Sequence, residues 1–127
     1  MIDTVRVSEK GKVQLITLKR RTGIQNWNTL CRWALCISLN ESSEPPNEDI
    51  PSDSSIEMTW KTFTGGDEEI YLALVKLRAH GAGIALNKDS LMRYFRLHLH
   101  RGISYMSGNP KLLKVEDLIR LARSEER

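Results

Sequence analysis

The sequence predicts a mainly α-helical bundle with a short N-terminal strand, and its N-terminal half has the order of a ribbon–helix–helix unit. Polar and apolar residues alternate over Thr4–Val7, which is typical of a short strand. A basic helix is expected from Ser8 to about Thr22, and Asn26–Leu39 forms a second helix with apolar residues on almost every side. Because a helix that is apolar all round is buried all round, we expect an oligomer whose core contains this second helix.

Local signals predict both ends of the first helix. Ser8 is a good N-cap, since its hydroxyl can accept a free backbone N–H of the first turn. Gly23 stands where a left-handed residue commonly ends a helix. Lys19, Arg20 and Arg21 occupy the last turn, where the helix dipole favours positive charge. Their position therefore has a structural explanation as well as a functional one.

The remainder of the chain is expected to form a loop and a helical C-terminal part within one domain, residues 1–127. Pro45, Pro46 and Pro51 exclude regular structure from a segment rich in serine and acidic residues, so we expect an acidic loop over residues 41–66. Three further helices are expected over residues 67–80, 87–106 and 115–123. An apolar seam with helical spacing runs through the middle one of these from Met92 to Met106.

The basic residues are unevenly distributed along a chain whose formal net charge is +3. Residues 1–40 contain seven Lys and Arg against two acidic residues, and residues 91–127 contain eight against four. Residues 41–57 contain six acidic residues and no basic one. Local basic surface of this kind attracts phosphate, although ordinary solvated helix faces explain the same distribution.

No pattern in the sequence indicates catalysis, a metal site or a cofactor. The Gly-Ala-Gly run at residues 81–83 lacks the third glycine and the preceding strand of a nucleotide-binding loop. His98 and His100 are two residues apart on a helix, so they lean to different sides and do not easily share a metal ion. We expect a half-buried His98 and a His100 near phosphate, in a protein that is not an enzyme.

The cysteines and the hydropathy pattern predict a cytoplasmic protein. Cys31 and Cys36 point in different directions on a helix and lack the spacing of zinc ligands. We therefore expect both to be small buried residues of a reduced compartment. Asp3 and Arg6 interrupt any N-terminal leader, and no apolar run reaches membrane length, so no membrane partner is expected.

Positive residues recur on single faces of the first helix. Lys12 and Lys19 are seven residues apart and share one face, while Lys10 and Arg21 share another. A protein that neutralises several phosphates binds nucleic acid strongly and in a salt-dependent manner. Contacts to the backbone or to DNA shape are the more economical expectation, because few residues of the chain are suited to reading bases.

Four segments resemble a known family: Val-Arg-Val-Ser-Glu-Lys-Gly-Lys (5–12), Leu-Lys-Arg-Arg-Thr-Gly-Ile-Gln-Asn-Trp-Asn (18–28), Leu-Cys-Arg-Trp-Ala-Leu-Cys (30–36) and Phe-Arg-Leu-His-Leu-His-Arg-Gly-Ile (95–103). They look like DndE, the small subunit of the bacterial DNA phosphorothioation (DNA sulfur modification) machinery. The resemblance spans nearly the whole chain, and the Asn-Trp-Asn and His-Leu-His-Arg-Gly runs are specific.

The resemblance implies a part in replacing a non-bridging phosphate oxygen of DNA with sulfur, in the setting of a restriction–modification system. Its implied partners are a cysteine desulfurase, an iron–sulfur sulfurtransferase and an ATPase-like protein. The subunit itself has no assigned catalysis and needs no cofactor. The family pattern is a homotetramer that prefers nicked duplex DNA and contacts it through surface lysines.

The candidate DNA contacts are all basic. The resemblance implies Lys10, Lys12 and Lys19 as the leading contacts. The placement of charge adds Arg20, Arg21, Arg93, Arg96 and Arg101. Two alternatives stay open. One is a ribbon–helix–helix transcriptional repressor in which paired strands read bases through Thr4 and Arg6. The other is a scaffold that holds the modification complex and touches DNA incidentally.

Overall fold

The computed structural model describes residues 2–112 and 114–124. Its elements in chain order are β1 (Thr4–Arg6), α1 (Glu9–Thr22), α2 (Trp27–Asn40), β2 (Glu57–Thr59), α3 (Trp60–Thr64), α4 (Glu68–Gly81), α5 (Lys88–Gly108) and α6 (Val115–Ser124). The mainly helical fold class and the order strand–helix–helix are confirmed. The ends of the five predicted helices agree with the observed ones to within about two residues.

The two short strands pair with each other inside the chain. β1 and β2 are antiparallel, with Val5 opposite Met58 and Arg6 opposite Glu57, and the last two side chains form an ion pair at 2.7 Å. The ribbon–helix–helix alternative requires the N-terminal strand to pair with the strand of another subunit. Here β1 has a partner strand within its own chain, and Arg6 is engaged with a carboxylate.

The expected loop over residues 41–66 is shorter than predicted, because β2 and α3 occupy its last part. Thr59 caps α3 by accepting a hydrogen bond from the backbone N–H of Thr62 at 3.1 Å. Trp60 and Phe63 are buried, and their rings stack with centroids 5.2 Å apart. Burial of these two aromatic side chains stabilises a helix too short to persist alone.

The centre of the fold is the crossing of α2 and α5. Gly102 of α5 lies directly against the backbone of Ala34 in α2, so close that a Cβ at position 102 would be 1.8 Å from the Ala34 carbonyl oxygen. Around this point Leu35, Leu99 and Ile103 are fully buried. The apolar seam predicted for α5 therefore covers one side of α2 without any second subunit.

The outer side of α2 is not fully covered in the single chain. Trp27 and Trp33 are half-buried and pack against the core, whereas Cys36 is exposed. The expectation that both cysteines are buried is correct for Cys31 and wrong for Cys36. The reason is that α5 packs on only one face of α2, and Cys36 lies away from that face.

Helix α1 begins and ends as predicted. The Ser8 hydroxyl accepts a hydrogen bond from the Gly11 backbone N–H at 3.0 Å, and Gly23 is left-handed with φ of 75°. One face buries Leu15 and Leu18, while Val13 and Ile16 on another face are 56% and 44% exposed. Helix α1 therefore has one apolar face in the core and a second apolar face that is open.

Helix α4 also leaves apolar side chains open. Val75 and Ala79 face the core, whereas Ile70, Leu74 and Leu77 are 61%, 41% and 73% exposed. These three follow one another at helical spacing and form a single stripe. Among the described helices none is long and apolar enough to cross a membrane.

Candidate nucleic-acid interface

Two predicted cations on α1 project freely from the surface. Lys10 in the first turn and Arg20 in the last turn are both exposed. Within residues 2–112 and 114–124, neither side chain has a hydrogen-bond or ion-pair partner. An exposed cation that forms no ion pair is available to a phosphate group at little desolvation cost.

A third α1 cation, Lys19, is oriented by an aromatic ring. Its Nζ lies 4.7 Å from the centroid of the Trp27 ring at the start of α2. A lysine over the face of a tryptophan gains a cation–π attraction and keeps its ammonium group at the surface. The predicted α1 lysine is therefore positioned by α2, and Trp27 belongs to the site although charge alone did not indicate it.

The remaining α1 cations already have partners. The Nζ atom of Lys12 donates to the Ser55 hydroxyl at 2.8 Å, and the Nη1 atom of Arg21 donates to the Ser107 carbonyl at 3.0 Å. Both side chains are half-buried. A phosphate contact at either residue has to share or replace an existing hydrogen bond.

Two arginines of α5, Arg93 and Arg96, are hydrogen-bonded to the acidic loop. Arg93 forms an ion pair with Asp49 at 3.0 Å and donates to the Asn47 side chain at 2.6 Å. Arg96 donates to two loop carbonyls, those of Ile50 at 2.9 Å and Pro51 at 3.0 Å. Burial lowers the pKa of the Arg96 guanidinium from its ordinary value. The guanidinium donors of both predicted cations are therefore already engaged by loop oxygens.

Arg101 is buried, so it does not lie where a phosphate could contact it. It is 8% exposed, and its Nε and Nη2 donate to the hydroxyl and the carbonyl oxygen of Ser38 at 2.8 and 2.7 Å. Its Nη1 donates to the Ser43 carbonyl at 2.8 Å. The expectation of a surface contact is corrected here, because the chain beyond α2 folds back over the guanidinium and satisfies its donors.

Arg78 near the end of α4, like Arg101, donates hydrogen bonds to the chain at and beyond the end of α2. The sequence did not single out this residue. Its Nη1 donates to the Leu39 carbonyl at 2.6 Å, and its guanidinium pairs with the Glu44 carboxylate at 3.1 Å. The Tyr94 hydroxyl donates to the same carboxylate at 2.6 Å. Burial raises the pKa of Glu44, but the hydrogen bonds from Tyr94 and Arg78 outweigh it and lower the pKa. The only sequence signal for Arg78 was its place in a last helical turn.

His98 is buried in the same network. The Ser38 hydroxyl accepts from the Nε of Arg101, so its own O–H is free to donate to His98 Nδ1, 2.8 Å away. Neutral His98 then carries its proton on Nε2, a buried atom for which the described residues supply no partner. Burial, with Arg101 and Arg78 nearby, lowers the pKa of His98 to about 4. The expected half-buried His98 is in fact 1% exposed.

His100 stabilises the start of α1 and does not lie at a phosphate-accessible surface. Its Nε2 accepts from the Ser8 backbone N–H at 3.0 Å, and its Nδ1 lies 2.8 Å from the Arg96 carbonyl oxygen. These contacts require the neutral ring with the proton on Nδ1. Burial is the main cause of its lowered pKa. The expectation of a phosphate neighbour is wrong, since the strand-to-helix junction covers the ring.

The fold and these side chains define a small, mainly helical protein that presents unpaired cations on its first helix. In the part of the chain that the structure describes, no group of three or more His, Cys, Asp or Glu residues could hold a metal ion.

Comparisons with known proteins identify the family. The family model for the DNA sulphur modification protein DndE matches residues 4–114. The chain belongs to the DndE family.

Two solved structures illustrate the fold. DndE from Escherichia coli B7A, described as involved in DNA phosphorothioation modification, superposes with a TM-score of 0.70 and 20% sequence identity, covering 82% of this chain and 95% of that one. A DndE mutant with two glycines changed to lysine, involved in DNA phosphorothioation, gives 0.67 and 17%, covering 86% and 100%. A search of curated proteins finds no significant match.

Proposed function

We propose that this protein is a non-catalytic, DNA-binding accessory protein of DNA phosphorothioate modification. Its membership of the DndE family supports a part in DNA phosphorothioate modification. The observation that carries the DNA contact is the pair of exposed, unpartnered cations on α1 among the described residues, Lys10 and Arg20. Lys19, next to Arg20 in the last turn of α1, lies over the Trp27 ring. Cations of this kind bind the DNA backbone by releasing its counterions.

The predicted residues are expected to contribute unequally to phosphate binding. Lys10, Lys19 and Arg20 make the principal phosphate contacts, because none of them forms an ion pair within the described residues. Lys12 and Arg21 contribute after exchanging one hydrogen bond each. Arg93 and Arg96 contribute only where the acidic loop is displaced, and Arg101 supports the fold.

The wider proposal places the protein in the bacterial cytoplasm as a homotetramer that prefers nicked duplex DNA. Its partners are the cysteine desulfurase, the iron–sulfur sulfurtransferase and the ATPase-like protein of the modification system. Open apolar side chains on α1 and α4 support assembly, since Val13, Ile16 and Leu77 are 56%, 44% and 73% exposed. Exposed apolar surface of this extent is typical of an interaction face.

The test of DNA binding is fluorescence anisotropy with a labelled duplex over a salt series. The double variant Lys10→Gln and Arg20→Gln should reduce the slope of log Kobs against log salt by about 2, because each phosphate contact contributes about 0.9. The matched control is Lys61→Gln with Lys111→Gln, two exposed cations that lie on α3 and in the turn after α5. An equal loss of affinity in both variants would show that only net charge matters and that α1 is not the interface.

Nick preference and subunit number need their own measurements. Competition between intact and singly nicked duplex of the same sequence should favour the nicked one, and equal affinities would remove that part of the proposal alone. Native mass spectrometry with and without DNA should give four chains per assembly. A stable monomer at micromolar concentration would contradict the tetramer.

A scaffold that holds the modification complex is the second candidate, favoured by the open stripe of Ile70, Leu74 and Leu77 on α4. It predicts that Leu77→Glu abolishes modification in cells while the double α1 variant preserves it. The proposed DNA-binding function predicts that the α1 variant impairs modification.

A further inference from the structure

Residues 47–53, which we call the acidic strap, cross from α5 to the first turn of α1 between two firm anchors. Pro45 before the strap is buried. After the strap, the Ser54 hydroxyl donates to the Val7 carbonyl at 2.6 Å, and Ile56 is only 5% exposed. The chain on either side of the strap is therefore held by the core, and the position of the strap itself depends on its own contacts with α1 and α5.

The strap itself spans a cavity. Every strap residue except Ile50 is exposed. Beneath it lies a cavity of about 540 Å³, bordered by Lys10 of α1 and by Leu97 and Tyr105 of α5. A segment that lies over a cavity loses few apolar contacts when it moves away from the surface. Local opening of the strap should therefore cost little free energy.

The strap holds the α5 arginines with the groups that a phosphate would replace. An Asp49 carboxylate oxygen lies 3.0 Å from the Arg93 guanidinium, and Asp49 is 99% exposed. The carbonyls of Ile50 and Pro51 accept from Arg96. Carboxylate and carbonyl oxygens here occupy guanidinium donors that also bind phosphodiester oxygens.

The strap also occupies the N-terminus of α1. An Asp53 carboxylate oxygen accepts a hydrogen bond from the Glu9 backbone N–H at 2.8 Å. The adjacent Ser55 hydroxyl accepts from Lys12 Nζ at 2.8 Å. A helix N-terminus with a lysine one turn away is a phosphate-binding arrangement, and a carboxylate of the same chain fills it.

We propose that the acidic strap is an intramolecular competitor for DNA phosphate, and that lifting it opens a second backbone-binding surface made of Arg93, Arg96, Lys12 and the N-terminus of α1. This inference rests on the proposed DNA-binding function. The ion pair that the strap forms within the described residues, Arg93–Asp49, is exposed and weak, whereas a duplex offers closely spaced phosphates. The bound duplex therefore replaces the strap. The free energy needed to displace the strap from α1 and α5 reduces the free energy of DNA binding, so the strap lowers the affinity for DNA.

The first test compares two variants of equal charge. Asp49→Asn with Asp53→Asn weakens the strap while keeping oxygen acceptors for Arg93 and for the Glu9 N–H. Glu68→Gln with Glu69→Gln removes the same charge from exposed positions on α4. The strap variant should bind duplex about three- to tenfold more tightly than the control variant, because two exposed charge contacts no longer compete. Its salt slope should be steeper by about 1 to 2.

The second test follows the strap itself in the unmodified chain. Glutamyl endopeptidase cleaves after Glu48, an exposed strap residue. Saturating duplex should accelerate this cleavage several-fold, because the strap is released. Cleavage that is unchanged or slower with DNA means that the strap stays closed.

The outcomes separate this inference from the proposed function. If the unmodified chain binds duplex but the two charge-matched variants bind equally, the strap inference is wrong and DNA binding stands. If only the strap variant binds, the inference is supported. If no variant binds any duplex at low salt, both proposals are wrong.

Discussion

The substitution Gly102→Ala tests the helix crossing at the centre of the fold. An ideal Cβ at position 102 would lie 1.8 Å from the carbonyl oxygen of Ala34 and 2.4 Å from its carbonyl carbon. Non-bonded heavy atoms prefer about 3.5 Å, so α2 and α5 would have to separate by roughly 1.5 Å. The obstacle is backbone, which cannot rotate away as the end of a side chain can.

The magnitude follows from two opposing terms. Overpacking a core costs about 1–3 kcal/mol, and displacement of a whole helix places this case at the upper end. Alanine has a better helix propensity than glycine, which returns about 1 kcal/mol. We therefore expect a net loss of about 2 kcal/mol in the free energy of unfolding, and a fall in Tm of about 6–10 °C.

The assay is urea unfolding followed by tryptophan fluorescence and far-UV circular dichroism. Gly81→Ala is the matched control, because Gly81 ends α4 and an added Cβ there has nothing within 4 Å. The control should be as stable as the parent chain or up to about 1 kcal/mol more stable. Equal urea midpoints for Gly102→Ala and Gly81→Ala would refute the close approach of α2 and α5.

Three further predictions concern buried and exposed groups. Burial lowers the pKa of His98 to about 4 from 6.5, so between these pH values the unfolded chain binds a proton that the folded chain does not. Stability present above about pH 6.5 should fall by about 2–3 kcal/mol towards pH 4.5, and His98→Asn should flatten that part of a stability–pH curve. Arg101→Lys should cost about 2–3 kcal/mol in chemical unfolding because buried hydrogen bonds to a guanidinium are lost, whereas the same change at exposed Arg93 should stay within about 0.5 kcal/mol. Iodoacetamide followed by mass spectrometry should modify exposed Cys36 well before Cys31, whose pKa burial raises to about 12; equal rates would contradict the packing of α2.

Helix positions were predictable because their signals are local. Ser8, Gly23 and Asn87 act on backbone groups a few residues away, and all three stand at helix ends in the structure. The spacing of the apolar seam in α5 was equally local information. The short helix α3 escaped prediction, since its local cap at Thr59 is not enough for so short a helix and the packing of Trp60 and Phe63 on distant Phe95 stabilises it.

The candidate site was predictable as a set of charges but not as a surface. The sequence identifies Arg20 and Arg101 as equally basic. The structure leaves Arg20 exposed and encloses Arg101 with Ser43, a residue 58 positions away in the chain. Which cation is free depends on where an acidic, proline-rich segment lies after folding, and no spacing rule contains that information.

The sequence by itself determined the composition, the helix boundaries and the excess of positive charge at both ends of the chain. These features depend only on residue type or on residues nearby in the chain. Tertiary structure alone decided that Gly102 meets Ala34, that β1 pairs with β2, and that the acidic segment binds Arg93 and Arg96. These contacts join residues distant along the chain. Their free energies arise from packing and from exclusion of water, which exist only once the whole chain is folded.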